Sequence, residues 1–167
     1  AGLGVLIKNA EALERMEKVD TIVVDKTGTL TEGRPSVTSI VAMDGFSEHD
    51  LLRLAASVER ASEHPLALAI VAAAKDRGIP VPEVSDFDSP TGKGAVGTVD
   101  GKRIFLGGAA YLQESGIDVS TAAARADELR ADGATAIFAA IDGRVAGILA
   151  IADPIKTTTA KALVALR

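Results

Sequence analysis

The chain of 167 residues is 47% hydrophobic but only 3% aromatic, so small and aliphatic side chains rather than rings must fill its interior. Its 18 Lys and Arg against 23 Asp and Glu give a net charge of −5, which argues against a nucleic-acid surface or an anionic-membrane patch. With 0 cysteines it has neither a disulfide framework nor a thiolate metal site, which fits a cytosolic setting.

The N-terminal "AGLGVLIKNAEAL" lacks the basic start, sustained apolar run and cleavage site of a signal peptide. Residues 9–17 read as a short helix with Leu6, Ala10 and Leu13 on one stripe. "TIVVD" (21–25) is a continuous β-branched run, as in a strand covered on both faces. "KTGTLTEGRP" is turn-rich, and "SVTSIVAMDGF" reads as a second strand closing on an Asp-Gly turn. Ser47 and Asp50 make a capping-box-like start for a helix carrying Leu51, Leu54, Ala55 and Val58. "RASEHP" interrupts it. Ser62 is expected to cap the next helix, with Pro65 in its first turn, Leu66, Ile70 and Ala73 facing inward and Gly78 at its end. "VSDFDSPTGKGAVGTVDGKRIFLGG" reads as a meander of short strands turning at Thr91–Gly94 and Asp100–Gly101. Two helical pieces follow, at 109–115 and 120–131, then a hairpin about Asp142-Gly143 and a further helix in "DPIKTTTAKALVALR". The longest apolar stretch is broken by Asp142-Gly143-Arg144, and each half is too short to cross a bilayer. This order, a strand–acid–turn unit, then a mixed α+β block, then a new helix, suggests one domain inserted into another.

Asp25 has the address of a reactive group, just past the carboxyl end of a predicted buried strand. A carboxylate can attack phosphorus and form an acyl phosphate. Gly28 permits a tight turn close to a phosphate, Thr27 and Thr29 offer hydroxyl donors, and Asp25 can help hold a divalent cation. As a lone acid before a turn, Asp25 would be read as a turn cap; the seven residues together carry more than that.

"DKTGTLT" (Asp25–Thr31) resembles the phosphorylation motif of P-type ATPases. The resemblance implies that Asp25 takes the γ-phosphoryl group of ATP, with Lys26, Thr27 and Thr29 around it and Mg²⁺ held by Asp25 and Thr27. It also implies a phosphorylation domain of the haloacid dehalogenase kind. Phosphatases of that superfamily often carry an acid two residues after the nucleophile; here that position is Thr27, which favours a lasting acyl phosphate over its hydrolysis. "SEHP" (Ser62–Pro65) and the glycine pair Gly92 and Gly94 are similar to the nucleotide-domain motifs of the heavy-metal-transporting branch, and "DPIK" (Asp153–Lys156) to its return into the phosphorylation domain. The resemblance covers essentially the whole chain. It implies that Glu59 and His64 meet adenine, while Gly92 and Gly94 let the nucleotide lie against bare backbone; Glu63 is a further cofactor-binding candidate. The bland readings are a helix-entry residue for His64 and a solvated helical acid for Glu59. Where the family often has Gly-Asn this chain has Gly107-Gly108, so Gly107 is a weaker candidate. "GVLIKNAEALE" leans, by resemblance, towards copper(I) exporters.

Two other glycine readings fail. Gly92–Gly97 matches G-x-G-x-x-G but is followed by strand and turn rather than a helix. Gly92-Lys93 is followed by Gly94 rather than Ser or Thr, so no Walker A loop is present.

The expected fold is therefore an incomplete haloacid-dehalogenase-like α/β phosphorylation domain, at 1–38 and 152–167. An α+β nucleotide-binding domain at 39–151, with a mostly antiparallel sheet flanked by helices, is inserted into it. The motifs T-G-D, G-D-G-x-N-D, T-G-E and C-P-C are absent from the sequence, so a fragment is expected that binds ATP without full turnover. The implied setting is the cytoplasmic part of an integral membrane metal pump. Its partners would be ATP, the actuator and transmembrane domains of the same protein and a metal ion bound elsewhere, with no nucleic acid. The alternatives are a haloacid-dehalogenase-type phosphatase and a non-catalytic ATP-binding module.

Overall fold

Six strands make one antiparallel sheet in a computed structural model that describes residues 9–166. They are β1 (Ser36–Ala42), β2 (Ser85–Asp88), β3 (Gly94–Val99), β4 (Lys102–Gly107), β5 (Thr135–Ile141) and β6 (Arg144–Ala152), in the order β1-β6-β5-β4-β3-β2. Two connections are tight hairpins whose central residues need positive φ: Asp100-Gly101 (50° and 75°) and Asp142-Gly143 (49° and 79°). That is the type I′ requirement, which Asp-Gly meets at low strain. They set the registers Val99–Lys102 and Ile141–Arg144, from which the two ladders run.

The helices divide between the faces. Helices α2 (Glu48–Glu59) and α3 (Pro65–Asp76) cover one side, where Leu51, Leu54, Val58 and Ile70 meet Ile104, Leu106, Ile137, Leu149 and Ile151. Helices α4 (Ala109–Glu114) and α5 (Ser120–Ala131) cover the other, where Leu112, Ala122, Ala126 and Leu129 meet Phe138, Ala140, Ile148 and Ala150. Alternate residues of β5 and β6 thus enter different cores, so both strands are apolar at nearly every position. The small residues fit close approaches: a Cβ at Gly147 would lie 2.3 Å from the Val41 carbonyl oxygen and 2.5 Å from Leu51 Cδ2. The mostly antiparallel sheet with flanking helices is as the sequence reading has it.

Helix α2 begins as predicted, the Asp50 amide donating to Ser47 Oγ at 3.0 Å. Helix α3 does not. Its cap is His64, whose Nδ1 accepts from the Leu66 amide at 3.2 Å, while Ser62 Oγ accepts from the His64 amide one step earlier. With Pro65 fixed as the first helical residue, the residue before it holds the extended backbone a cap needs.

"TIVVD" is not a sheet strand. Residues 21–25 have no regular secondary structure and no ladder partners, and Val23 is 95% exposed. A β-branched run becomes a strand only when neighbouring strands satisfy its backbone, and none lies beside it among the described residues. Outside the sheet lie helix α1 (Ala10–Glu17), helix α6 (Thr159–Ala165) and a single antiparallel bridge, Thr31–Ile155. Leu6 of the predicted α1 stripe lies outside the described residues, as does the side chain of Leu13; Ala10 is exposed. No helix among the described residues is long and apolar enough to cross a membrane.

Candidate functional site

A cleft of about 510 Å³ opens where the α2–α3 junction faces the turn before β3, a size typical of small-molecule sites. Leu66, Ala95, Leu106, Ala136 and Ile137 give it an apolar lining, and Glu59, Ser62, His64, Thr91, Lys93 and Thr135 supply its polar groups. Of the six predicted nucleotide residues, the fold brings five to this cleft: Glu59, His64, Gly92, Gly94 and Gly107. They come from sequence positions as far apart as 59 and 107. Glu63 is exposed and is not among the lining residues.

Glu59 is the last residue of α2 and only 9% exposed. Burial pushes its carboxyl above the ordinary glutamate value, and a hydrogen bond with the Ser62 side chain works against that rise. The backbone from Glu59 to His64 is tightly tied, the Ser62 amide donating to the Glu59 carbonyl at 2.9 Å. An imidazole that accepts at Nδ1 carries its proton on Nε2, so the cap fixes the His64 tautomer and leaves Nε2–H as its donor.

The three glycines do different work. Gly92 has φ +72° and a Cβ there would meet nothing within 4 Å, so its requirement is conformational. Gly94 and Gly107 are direct partners across the β3–β4 ladder. A Cβ on Gly94 would stand 2.1 Å from the Leu106 carbonyl oxygen and 2.7 Å from Tyr111 Cδ1. A Cβ on Gly107 would stand 2.7 Å from the Lys93 carbonyl oxygen and 2.8 Å from Tyr111 Cδ1. Both are glycine because Tyr111 and backbone occupy the space a side chain would need. A packing reason for glycine at 94 and 107 thus stands beside the expected one, bare backbone for a nucleotide to lie against; Tyr111 carries no signal in the sequence.

Asp25, Lys26, Thr27 and Thr29 form a second, separate place; none of them lines the cleft, and all four are exposed. Lys26, Thr27 and Thr29 lie on a single turn, Lys26–Leu30, with Gly28 at φ +76° and Asp25 immediately before it. The turn is clamped from below. Thr31 is 1% exposed. Its hydroxyl donates to Asp153 Oδ2 at 2.5 Å and accepts from the Gly28 amide at 3.1 Å. Lys156 Nζ donates to the Gly28 carbonyl at 2.6 Å and Thr159 Oγ1 to the Leu30 carbonyl at 2.7 Å. The DPIK segment, read from sequence only as a return of the chain, therefore holds the loop that carries Asp25. Among the described residues no group of three or more His, Cys, Asp or Glu that could hold a metal ion occurs; the expected cation ligands Asp25 and Thr27 lie two positions apart at the exposed turn.

The chain resembles known proteins along essentially its whole length. The chain is 53% identical over its full length to the silver exporting P-type ATPase of Salmonella typhimurium, and 54% identical over 99% of its length to the copper-transporting P-type ATPase of Rhizobium leguminosarum bv. viciae. It spans only about a fifth of each of these relatives, 20% in both cases. Among solved structures, a zinc-transporting PIB-type ATPase superposes on 96% of the chain with TM-score 0.87 and 35% identity, the chain covering 26% of it. The N-domain of HMA6, a copper-transporting P-type ATPase, matches 71% of the chain with TM-score 0.60 and 29% identity, and 99% of that N-domain is covered. Residues 19–167 match the haloacid dehalogenase-like hydrolases as a family. The expected fold class stands, and the chain belongs to the haloacid dehalogenase-like hydrolase family, with metal-transporting P-type ATPases as its relatives.

Proposed function

We propose that this chain is the nucleotide-binding and phosphorylation region of a heavy-metal-transporting P-type ATPase, with copper the preferred cargo. We place the nucleotide-binding domain at 36–152 rather than at the expected 39–151, because β1 begins at Ser36 and pairs there with Ala152 at the end of β6; the residues on either side are assigned to the phosphorylation domain. The observation that carries this reading is the convergence of Glu59, His64, Gly92, Gly94 and Gly107 on one cleft. The chemistry fits a purine. A buried carboxylate can accept from an exocyclic amine, the tautomer of His64 leaves one donor, and apolar walls suit the flat faces of the base. Asp25 is the nucleophile: its carboxylate oxygen bonds to the γ-phosphorus as the bond from that phosphorus to the β–γ bridging oxygen breaks, and ADP leaves. Thr27 and Thr29 donate to phosphoryl oxygens. Mg²⁺ is the expected companion of the nucleotide, but the described residues do not by themselves build its site, so no step is assigned to it. With 0 cysteines, the chain offers a soft metal ion no thiolate. The cargo site therefore belongs to the transmembrane part of the pump, with this region on the cytoplasmic side beside the actuator domain.

The test separates the ring of His64 from its capping role. His64→Asn keeps a side-chain acceptor at the cap; His64→Ala removes both ring and cap, at about 1 kcal/mol of stability. Titration with a non-hydrolysable ATP analogue should show weakened binding in both variants, with thermal stability nearly kept in His64→Asn. Unchanged affinity in His64→Asn would assign His64 to the scaffold and remove it from the site.

A further inference from the structure

The cleft has one feature that the motif residues leave unused. Lys93 is the one Lys or Arg among its lining residues, and it stands between the two glycines, Gly92 and Gly94. Its backbone is fixed. The Lys93 amide donates to the Pro90 carbonyl at 3.0 Å, and its own carbonyl packs against Gly107. Its ammonium is not fixed by burial: Nζ lies 2.6 Å from Glu114 Oε2 at the end of α4, with both side chains about half exposed, 52% and 59%. Glu114 does not line the cleft. The ion pair therefore parks the one Lys or Arg head of the cleft lining at its rim, on a carboxylate outside it.

We propose that Lys93 is the polyphosphate-recognising residue of this nucleotide site and that Glu114 is its competing counter-ion, which a bound nucleotide displaces. The proposal rests on the nucleotide reading above and assigns a division of labour within the same cleft. Glu59 and His64, at the α2–α3 junction, face the base, whereas Lys93, on the opposite turn, faces the phosphates. An exposed ion pair holds weakly, so the four-bond stem of Lys93 can swing its head from one carboxylate to a chain of phosphates carrying several charges. The rigid backbone keeps the pivot in place while the head moves. Without Lys93 a polyanion would enter a cleft whose lining holds a carboxyl side chain, Glu59, and no Lys or Arg.

Three ligands and two variants test this on the 167-residue chain by nitrogen-15 NMR titration at low salt: adenosine, ADP and a non-hydrolysable ATP analogue against wild type, Lys93→Gln and Glu114→Gln. Both side chains are exposed, so dispersed spectra are expected of both variants. Lys93→Gln should weaken the ATP analogue by about three- to tenfold, the scale of a charge-assisted hydrogen bond in water, and leave adenosine within about twofold. Glu114→Gln should strengthen the ATP analogue and leave adenosine unchanged, and 0.5 M salt should erase both differences. Adenosine binding with Lys93→Gln losing no affinity for the ATP analogue would overturn the role of Lys93 alone. A loss of affinity for the ATP analogue in Glu114→Gln would overturn its role as competitor. Absence of saturable shifts with any of the three ligands would overturn the nucleotide reading, and this inference with it.

Discussion

Glu59 is the residue whose position costs the fold most visibly in charge. Its carboxyl is raised above 4.5 mainly by burial, so between 4.5 and the raised value the folded chain holds a proton that the unfolded chain has released. Stability from this group is therefore fully present below pH 4.5 and is lost as the pH rises through the folded value. Glu59→Gln removes that loss. Urea denaturation at pH 4 and pH 7 should show the wild type falling relative to Glu59→Gln at the higher pH; parallel behaviour would mean that the carboxyl is not desolvated. A carboxyl buried at the edge of a cleft at a cost in stability is an arrangement often found at functional sites. The glycines permit a second test at this scale. Gly94→Ala forces a Cβ against the Leu106 carbonyl at 2.1 Å and should cost about 3 kcal/mol. Gly92→Ala enters open space with φ +72° and should cost about 1 kcal/mol. Equal losses in urea denaturation would contradict the distinction drawn between a close approach and a turn conformation.

At the scale of elements, the DPIK segment and the Asp25 turn behave as one unit. Asp153 holds both the Thr31 hydroxyl and, through its other oxygen, the Arg34 amide at 3.1 Å. Asp153→Ala leaves the buried Thr31 hydroxyl without its shortest partner. Amide hydrogen exchange at Gly28 and Thr31 should quicken by about tenfold, while β4 and β5 amides keep their rates. Much of the element order was legible. Asp100-Gly101 and Asp142-Gly143 announce their hairpins because only a few residue types accept positive φ at adjacent positions, and Ser47 announces α2. The cap of α3 was misread because Ser62 is the commoner capping residue and His64 an uncommon one; the constraint that decided it is Pro65. The five cleft residues were legible only through resemblance. The reason for glycine at 94 and 107 was not legible, since Tyr111 meets them through the β3–β4 pairing, which no local pattern records. "TIVVD" misled because composition reports what a segment can pair with and not whether a partner is beside it.

Across the whole molecule, stability is unevenly spread. The sheet with its two helical layers holds nearly all the large buried side chains, including Phe138, Leu106 and Ile148, whereas Ile22, Val23, Ile155 and Val164 are exposed at the Asp25 end. Phe138→Ala should lower the urea stability by about 3–5 kcal/mol. Val23→Ser should change it by less than about 0.5 kcal/mol, and a large loss there would show that residues 21–25 are packed after all. This asymmetry fits the proposal that the nucleotide cleft and the phosphate-accepting turn are separate places with different jobs.

The central claim is that the cleft between the α2–α3 junction and the Gly92–Gly94 turn holds the nucleotide, apart from the turn that carries Asp25. Nitrogen-15 NMR titration with a non-hydrolysable ATP analogue tests it most directly, read as a map of which amides move. The account predicts saturable shifts at Glu59, His64, Gly92, Gly94 and Gly107, with Gly28 and Thr31 nearly still. Shifts confined to the Asp25 turn, or none at millimolar nucleotide, would contradict it.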